Sequence, residues 1–180
     1  MRNHDSQHRP EPVEHRADWR YELPASPEEV WEAIATADGL SAWMVPTRLE
    51  PRIGGEVRFD VGAATPPGVV TDYTPGLRLA IEEPWPLPER LEDVPPGMAA
   101  WFESIGLPLS AVYESLPRVS PIATEFLLEA ASGGSTILRI VTSAYGTGAA
   151  WEDEFFAEMA ATTTPLYDAL LAHLTGAVAR

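Results

Sequence analysis

Few side chains in this sequence are equipped for chemistry. Cysteine and lysine are both absent, and all 12 cationic side chains are arginine. Thiolate nucleophiles, cysteine metal sites and lysine Schiff bases are therefore excluded. Histidine is hardly richer: His4, His8 and His15 fall in an amino-terminal stretch with no apolar period, and His173 falls near the end of the chain. A histidine there suits the last turn of a helix, where a cation meets the negative end of the dipole. His4 and His8 are four apart and share a helix face, but no third residue of matching spacing completes a metal site. What remains for acid–base work is Asp72, Glu125 and Tyr145, in strand-like segments where burial beside a cavity would raise a carboxylate pKa. Nothing in their spacing selects them, so no catalytic residue, metal or cofactor is assigned. Gly54-Gly55 and Gly133-Gly134 are turn glycines; no phosphate loop or dinucleotide fingerprint is present.

Charge narrows the partners. The net charge is −15 and the pI about 4.5, which repels phosphate backbones and anionic bilayers at long range. Nucleic acid and membrane are excluded on that ground. A chain of 180 residues, 45% hydrophobic, builds one domain with a sizeable core. It has neither a long apolar run nor a basic and apolar leader, so the expectation is a soluble, cytoplasmic protein.

The elements that must position any site can be read in order. Residues 1–17 read as a disordered tail and 18–178 as a single domain. Trp19, Tyr21 and Leu23 alternate with Asp18, Arg20 and Glu22, as a half-buried strand does. Ser26, Pro27 and Glu29 make a helix start with a capping box, and Val30, Trp31 and Ile34 supply its apolar stripe. Asp38 would cap a second short helix carrying Leu40, Trp43 and Met44. Strands are expected over 47–53, 56–61, 68–73, 77–82, 122–131 and 135–145. A type II turn at Thr74-Pro75-Gly76 joins the third and fourth of these, and Ser132-Gly133-Gly134 the last two. A long helix follows over 150–178, interrupted by Pro165, with Phe155, Met159, Leu166, Leu170 and Leu174 on its inner stripe.

The run Ala25-Ser26-Pro27-Glu28-Glu29-Val30-Trp31, then Leu40-Ser41-Ala42-Trp43-Met44, then Gly54-Gly55 before a strand, resembles the START-like (SRPBCC) superfamily. The likeness is nearest to the family named for the activator of the heat-shock-protein ATPase, and it returns in Gly133-Gly134-Ser135-Thr136-Ile137-Leu138-Arg139-Ile140. It covers about Trp19 to Ile81 and Ile122 to Leu174. The resemblance implies an α+β helix-grip fold: a curved antiparallel sheet wrapped around a long C-terminal helix, with two short helices after the first strand. That superfamily hosts lipid carriers, cyclases, hormone receptors and co-chaperones, so the resemblance implies a scaffold and not one activity.

Against that scaffold, residues 84–121 read as an insertion. Eight prolines forbid a continuous strand, and two amphipathic segments lie between them, one with Met98, Trp101, Phe102 and Ile105, the other with Leu109, Val112, Tyr113 and Leu116. A sheet gripping a helix leaves a cavity, which is the default ligand site. Direction along the elements places Phe59, Leu79, Phe126, Leu138 and Ile140 opposite Phe155, Met159 and Leu166, with Trp43 and Met44 near one end. Trp101 and Phe102 on the insertion would close it as a lid. The expected function is binding of a hydrophobic or amphipathic small molecule. The alternatives are an interaction protein of the chaperone-activator type, tied to the stress response and using the insertion against a partner or a second copy, and a cyclase-like enzyme using Asp72 or Tyr145.

Overall fold

The helix start is built as its chemistry requires. The Ser26 hydroxyl accepts the Glu29 N–H at 3.3 Å, and the Glu29 carboxylate accepts the Ser26 N–H at 2.8 Å. Helix α1 (Pro27–Ala35) follows and buries Val30, Ala33, Ile34 and Ala35. Helix α2 (Ala37–Trp43) is capped two residues earlier than expected: Thr36 Oγ1, not Asp38, accepts the Gly39 N–H, at 2.9 Å. Asp38 sits inside the first turn instead, where a carboxylate favours the positive end of the helix.

The computed structural model describes residues 11–60 and 66–176. Seven strands form one antiparallel sheet in the order β1-β7-β6-β5-β4-β3-β2: β1 (Val13–Leu23), β2 (Thr47–Leu49), β3 (Glu56–Phe59), β4 (Gly68–Thr74), β5 (Arg78–Glu83), β6 (Ile122–Ala130) and β7 (Thr136–Gly146). The turn before β5 closes with the Leu77 N–H on the Thr74 carbonyl at 3.0 Å, and Gly76 takes the positive φ of +75° that a type II turn demands.

The tail boundary at residue 17 is corrected. Strand β1 begins at Val13 and pairs with β7 from Val13↔Gly146 to Leu23↔Thr136. The stretch lacks apolar alternation, yet backbone pairing with a long neighbour and the burial of His15 extend it. His4 and His8 lie outside the described residues, as do Val61 and Val178.

Helix α5 (Ala150–Thr175) lies against the sheet and serves two cores. Its C-terminal half joins an aliphatic core with Tyr167 and Leu170 packed among Leu23, Val30, Ile34, Val57, Val70, Leu79 and Leu138. Its N-terminal half joins an aromatic core with Trp151 and Phe156 packed among Trp85, Leu87, Phe102 and Val112. The insertion builds this second core together with Ile122 of β6, Ala144 of β7 and α5. Helices α3 (Pro96–Ser104) and α4 (Leu109–Ser115) form where the two amphipathic segments were expected, and Trp85 crosses Trp151 at 4.9 Å between ring centroids. The inner stripe of α5 is wider than expected: Leu170 is buried and Leu174 packs on the same core, but Tyr167 is buried beside them while Leu166 is 37% exposed. Tyr167 earns burial by stacking on Tyr21 of β1 at 3.2 Å between centroids, a contact that sequence spacing along the helix does not register.

Candidate functional site

Between the inner face of the sheet and α5 lies a cavity of about 400 Å³. Seven of the twelve expected lining residues meet there: Trp43, Met44, Phe59, Phe126, Ile140, Met159 and Leu166. Strand alternation puts Phe126 and Ile140 on one face, and their strands set them directly opposite each other. Trp43 is fixed at the rim by its indole N–H, which donates to the Ala33 carbonyl at 2.9 Å. Leu166, half-turned to solvent, forms the rim on the helix side. Leu79 and Leu138 share the inner face but are sealed in the aliphatic core, 1% and 0% exposed, and do not reach the cavity.

Trp101, Phe102 and Phe155 do not line this cavity. They line a second, apolar one of about 440 Å³ with Pro86, Leu87, Met98, Glu158 and Met159. Helix α3 therefore packs along the N-terminal half of α5 and not across the mouth of the sheet cavity. Pro86 and Met159 belong to both linings and form the seam between the two spaces.

Sequence spacing puts Thr142 on one face with Leu138 and Ile140, but the expected lining was apolar and left the threonines and Glu83 out. Thr124 and Thr142, paired across β6 and β7, hold their hydroxyl oxygens 3.2 Å apart. Thr163 joins them from α5, and its hydroxyl donates to the Met159 carbonyl at 2.9 Å. Glu83 ends β5 on the cavity side, half-buried, with no side-chain hydrogen bond or ion pair among the described residues. Burial pushes its carboxyl up from the usual 4.5 to about 7. A period-two count from Leu79 through Ile81 carries on to Glu83, so the signal was present, but the strand was expected to stop at Glu82. The Tyr167 hydroxyl is buried without a partner, and desolvation, aided by Tyr21, raises its pKa, so the phenol stays neutral.

The candidate acid–base residues point elsewhere, which corrects the cyclase-like assignment. Asp72 and Glu125 flank Arg78 at 3.2 and 3.0 Å, and Glu125 has the strand parity opposite to cavity-lining Thr124 and Phe126. Tyr145 is 49% exposed on the face opposite to Ile140 and Thr142. None of the three lines the cavity.

A second polar cluster, also unexpected, lies at the start of α5. Glu152 is fully buried. Its carboxylate accepts the Thr147 N–H at 2.9 Å, the Thr147 hydroxyl at 2.7 Å, the Gly148 N–H at 3.0 Å and His15 Nε2 at 3.0 Å. Desolvation opposes the charge, but these donors outweigh it and hold the carboxyl below its usual range. His15 also stacks on Phe156 at 5.2 Å. Every acceptor position is taken by protein, so this cluster ties β1 to the β7–α5 loop and leaves no room for a substrate.

Sheet order, two short helices and a C-terminal helix over an internal cavity define a helix-grip, START-like protein. Residues 24–174 match the family described as "Activator of Hsp90 ATPase homolog 1-like protein", and the chain belongs to that family. No curated protein matches it. Among solved structures, the Aha1 dimer from Colwellia psychrerythraea aligns with TM-score 0.61 at 19% identity, covering 92% of this chain and 99% of that one. Protein MLL2253 from Mesorhizobium loti aligns at 0.63 and 13% identity, covering 92% of this chain and 100% of the other. CalU16 from Micromonospora echinospora aligns at 0.59 and 16%, covering 94% and 86% respectively. These likenesses define the fold alone. No helix among the described residues is long and apolar enough to cross a membrane.

Proposed function

We propose that this protein is a cytoplasmic binding protein for a hydrophobic or amphipathic small molecule, held between the sheet and α5. One observation carries the reading: the interior is not filled, and Phe59, Phe126, Ile140 and Met159 surround a space of about 400 Å³. A volume in the range of about 300–1,000 Å³ with mostly apolar walls and a few polar groups is the usual form of a small-molecule site. Catalysis has less support, because the carboxylates and phenol named for it lie outside the cavity. The insertion enters this reading through Pro84 and Pro86, which form part of the wall.

Native mass spectrometry of protein purified from its own host tests the reading. The expected result is an added mass of small-molecule size that is lost on denaturation. Protein that arrives empty and takes up no apolar ligand overturns it.

Family membership favours a second reading, stimulation of the Hsp90 ATPase. The aromatic cleft beneath α3 is the surface such docking would use. An Hsp90 ATPase assay with and without the chain checks it, with Trp101→Ala expected to abolish any stimulation.

A further inference from the structure

The sheet cavity has one polar corner, and its composition speaks to the ligand. Glu83 faces the cavity with no side-chain partner among the described residues, while the nearby hydroxyls of Thr124 and Thr142 are engaged with each other at 3.2 Å. Among the described lining residues the one cationic side chain is Arg58, whose Nε lies 3.5 Å from Glu56 Oε1. The remaining titratable group, Tyr167, stays a neutral phenol. A carboxylate left without a counter-charge in an apolar cavity is costly unless a ligand supplies one. The chain as a whole adds to the bias: a net charge of −15 draws cations toward it and repels anionic amphiphiles.

We propose that Glu83 is the specificity-determining residue of this cavity and selects amphiphiles whose polar head is a basic amine, with the ammonium on the Glu83 carboxylate and the apolar body against Phe126, Ile140 and Met159. The proposal rests on the ligand-binding reading and names its ligand class. A fatty-acid head would set two carboxylates side by side and is rejected. A neutral alcohol keeps the apolar contacts but forgoes the ion pair. Burial without a counter-charge also raises the Glu83 carboxyl to about 7, so the carboxylate that would meet an ammonium is the main form above that pH.

Isothermal titration calorimetry of the full chain at pH 8 with decylamine, decanol and decanoate separates the outcomes. Decylamine is expected to bind at least tenfold tighter than decanol, and decanoate more weakly than either. Glu83→Gln is expected to remove the preference for the amine. Glu82→Gln makes the same change in net charge one residue away on the opposite, exposed strand face, and is expected to keep it. Circular dichroism of both variants verifies folding. If decanol binds and decylamine binds no tighter, or if Glu82→Gln lowers amine affinity as much as Glu83→Gln, the amine proposal falls and the ligand-binding reading stands. If none of the three binds, both fall.

Discussion

Two carboxylates in this protein, Glu152 buried and Glu83 half-buried, live under opposite regimes. Glu152, at the corner of β1, β7 and α5, is enclosed by donors from Thr147, Gly148 and His15, and its carboxyl is held down. Glu83, at the cavity, has burial without donors, and its carboxyl is pushed up to about 7. A fully satisfied buried charge holds chain segments together, whereas an unsatisfied one costs stability and makes its cavity a candidate site. The difference separates a structural corner from the candidate binding corner without reference to any relative.

The largest effect should come from breaking the satisfied corner. Glu152→Ala leaves two N–H groups, a hydroxyl and His15 without their acceptor, and a loss of about 3–5 kcal/mol is expected in urea unfolding. Next is Gly146→Ala. A Cβ there would stand 2.0 Å from Glu152 Oε2 and 2.9 Å from His15 Nε2. A cost of about 1–3 kcal/mol is expected, and most of it should vanish in the Glu152→Ala background, which a double-mutant cycle measures. Additive costs would show that the clash is not with the carboxylate.

The pH dependence sharpens the contrast because the two groups act with opposite sign. Glu83 binds its proton more tightly folded than unfolded, so its contribution falls as pH rises from the usual 4.5 to about 7. Glu152 binds its proton less tightly folded, so its contribution is present above the usual carboxyl range and is lost as pH falls through the depressed value. Glu83→Gln should therefore gain stability relative to the parent across the first window, by on the order of 1–3 kcal/mol at its upper end. A pH-independent difference would break the assignment. The smallest effect is expected at the exposed sheet face, where Arg139 grips Asp18 through two hydrogen bonds. Solvent screens such pairs, and Asp18→Asn should leave the unfolding midpoint within error.

Much of the frame was legible before any coordinates. The capping box at Ser26, the turn glycine at 76, the alternating strands and the amphipathic segments of the insertion all rest on interactions between residues close in sequence, so their signals are local. The cavity was half legible. Phe126, Ile140 and Met159 could be placed by direction alone, but Leu79 and Leu138 share their parity and end in the sealed core. Periodicity gives the face a side chain points to, not what it meets there. Glu83 continues the alternation of Leu79 and Ile81 but lies one residue beyond the strand end expected at Glu82, and β5 runs on to include it.

What the sequence determined by itself is the set of elements and the face each one turns inward, along with the absence of thiol and lysine chemistry; these follow from local propensity and composition. Only the tertiary structure decided that residues from Val13 onward are strand, that His15 and Glu152 meet 137 positions apart, that the insertion builds a second core on α5, and that Glu83 is left without a donor. Those outcomes depend on which surfaces come together after the chain folds, and long-range contact leaves no period in the sequence from which it can be read.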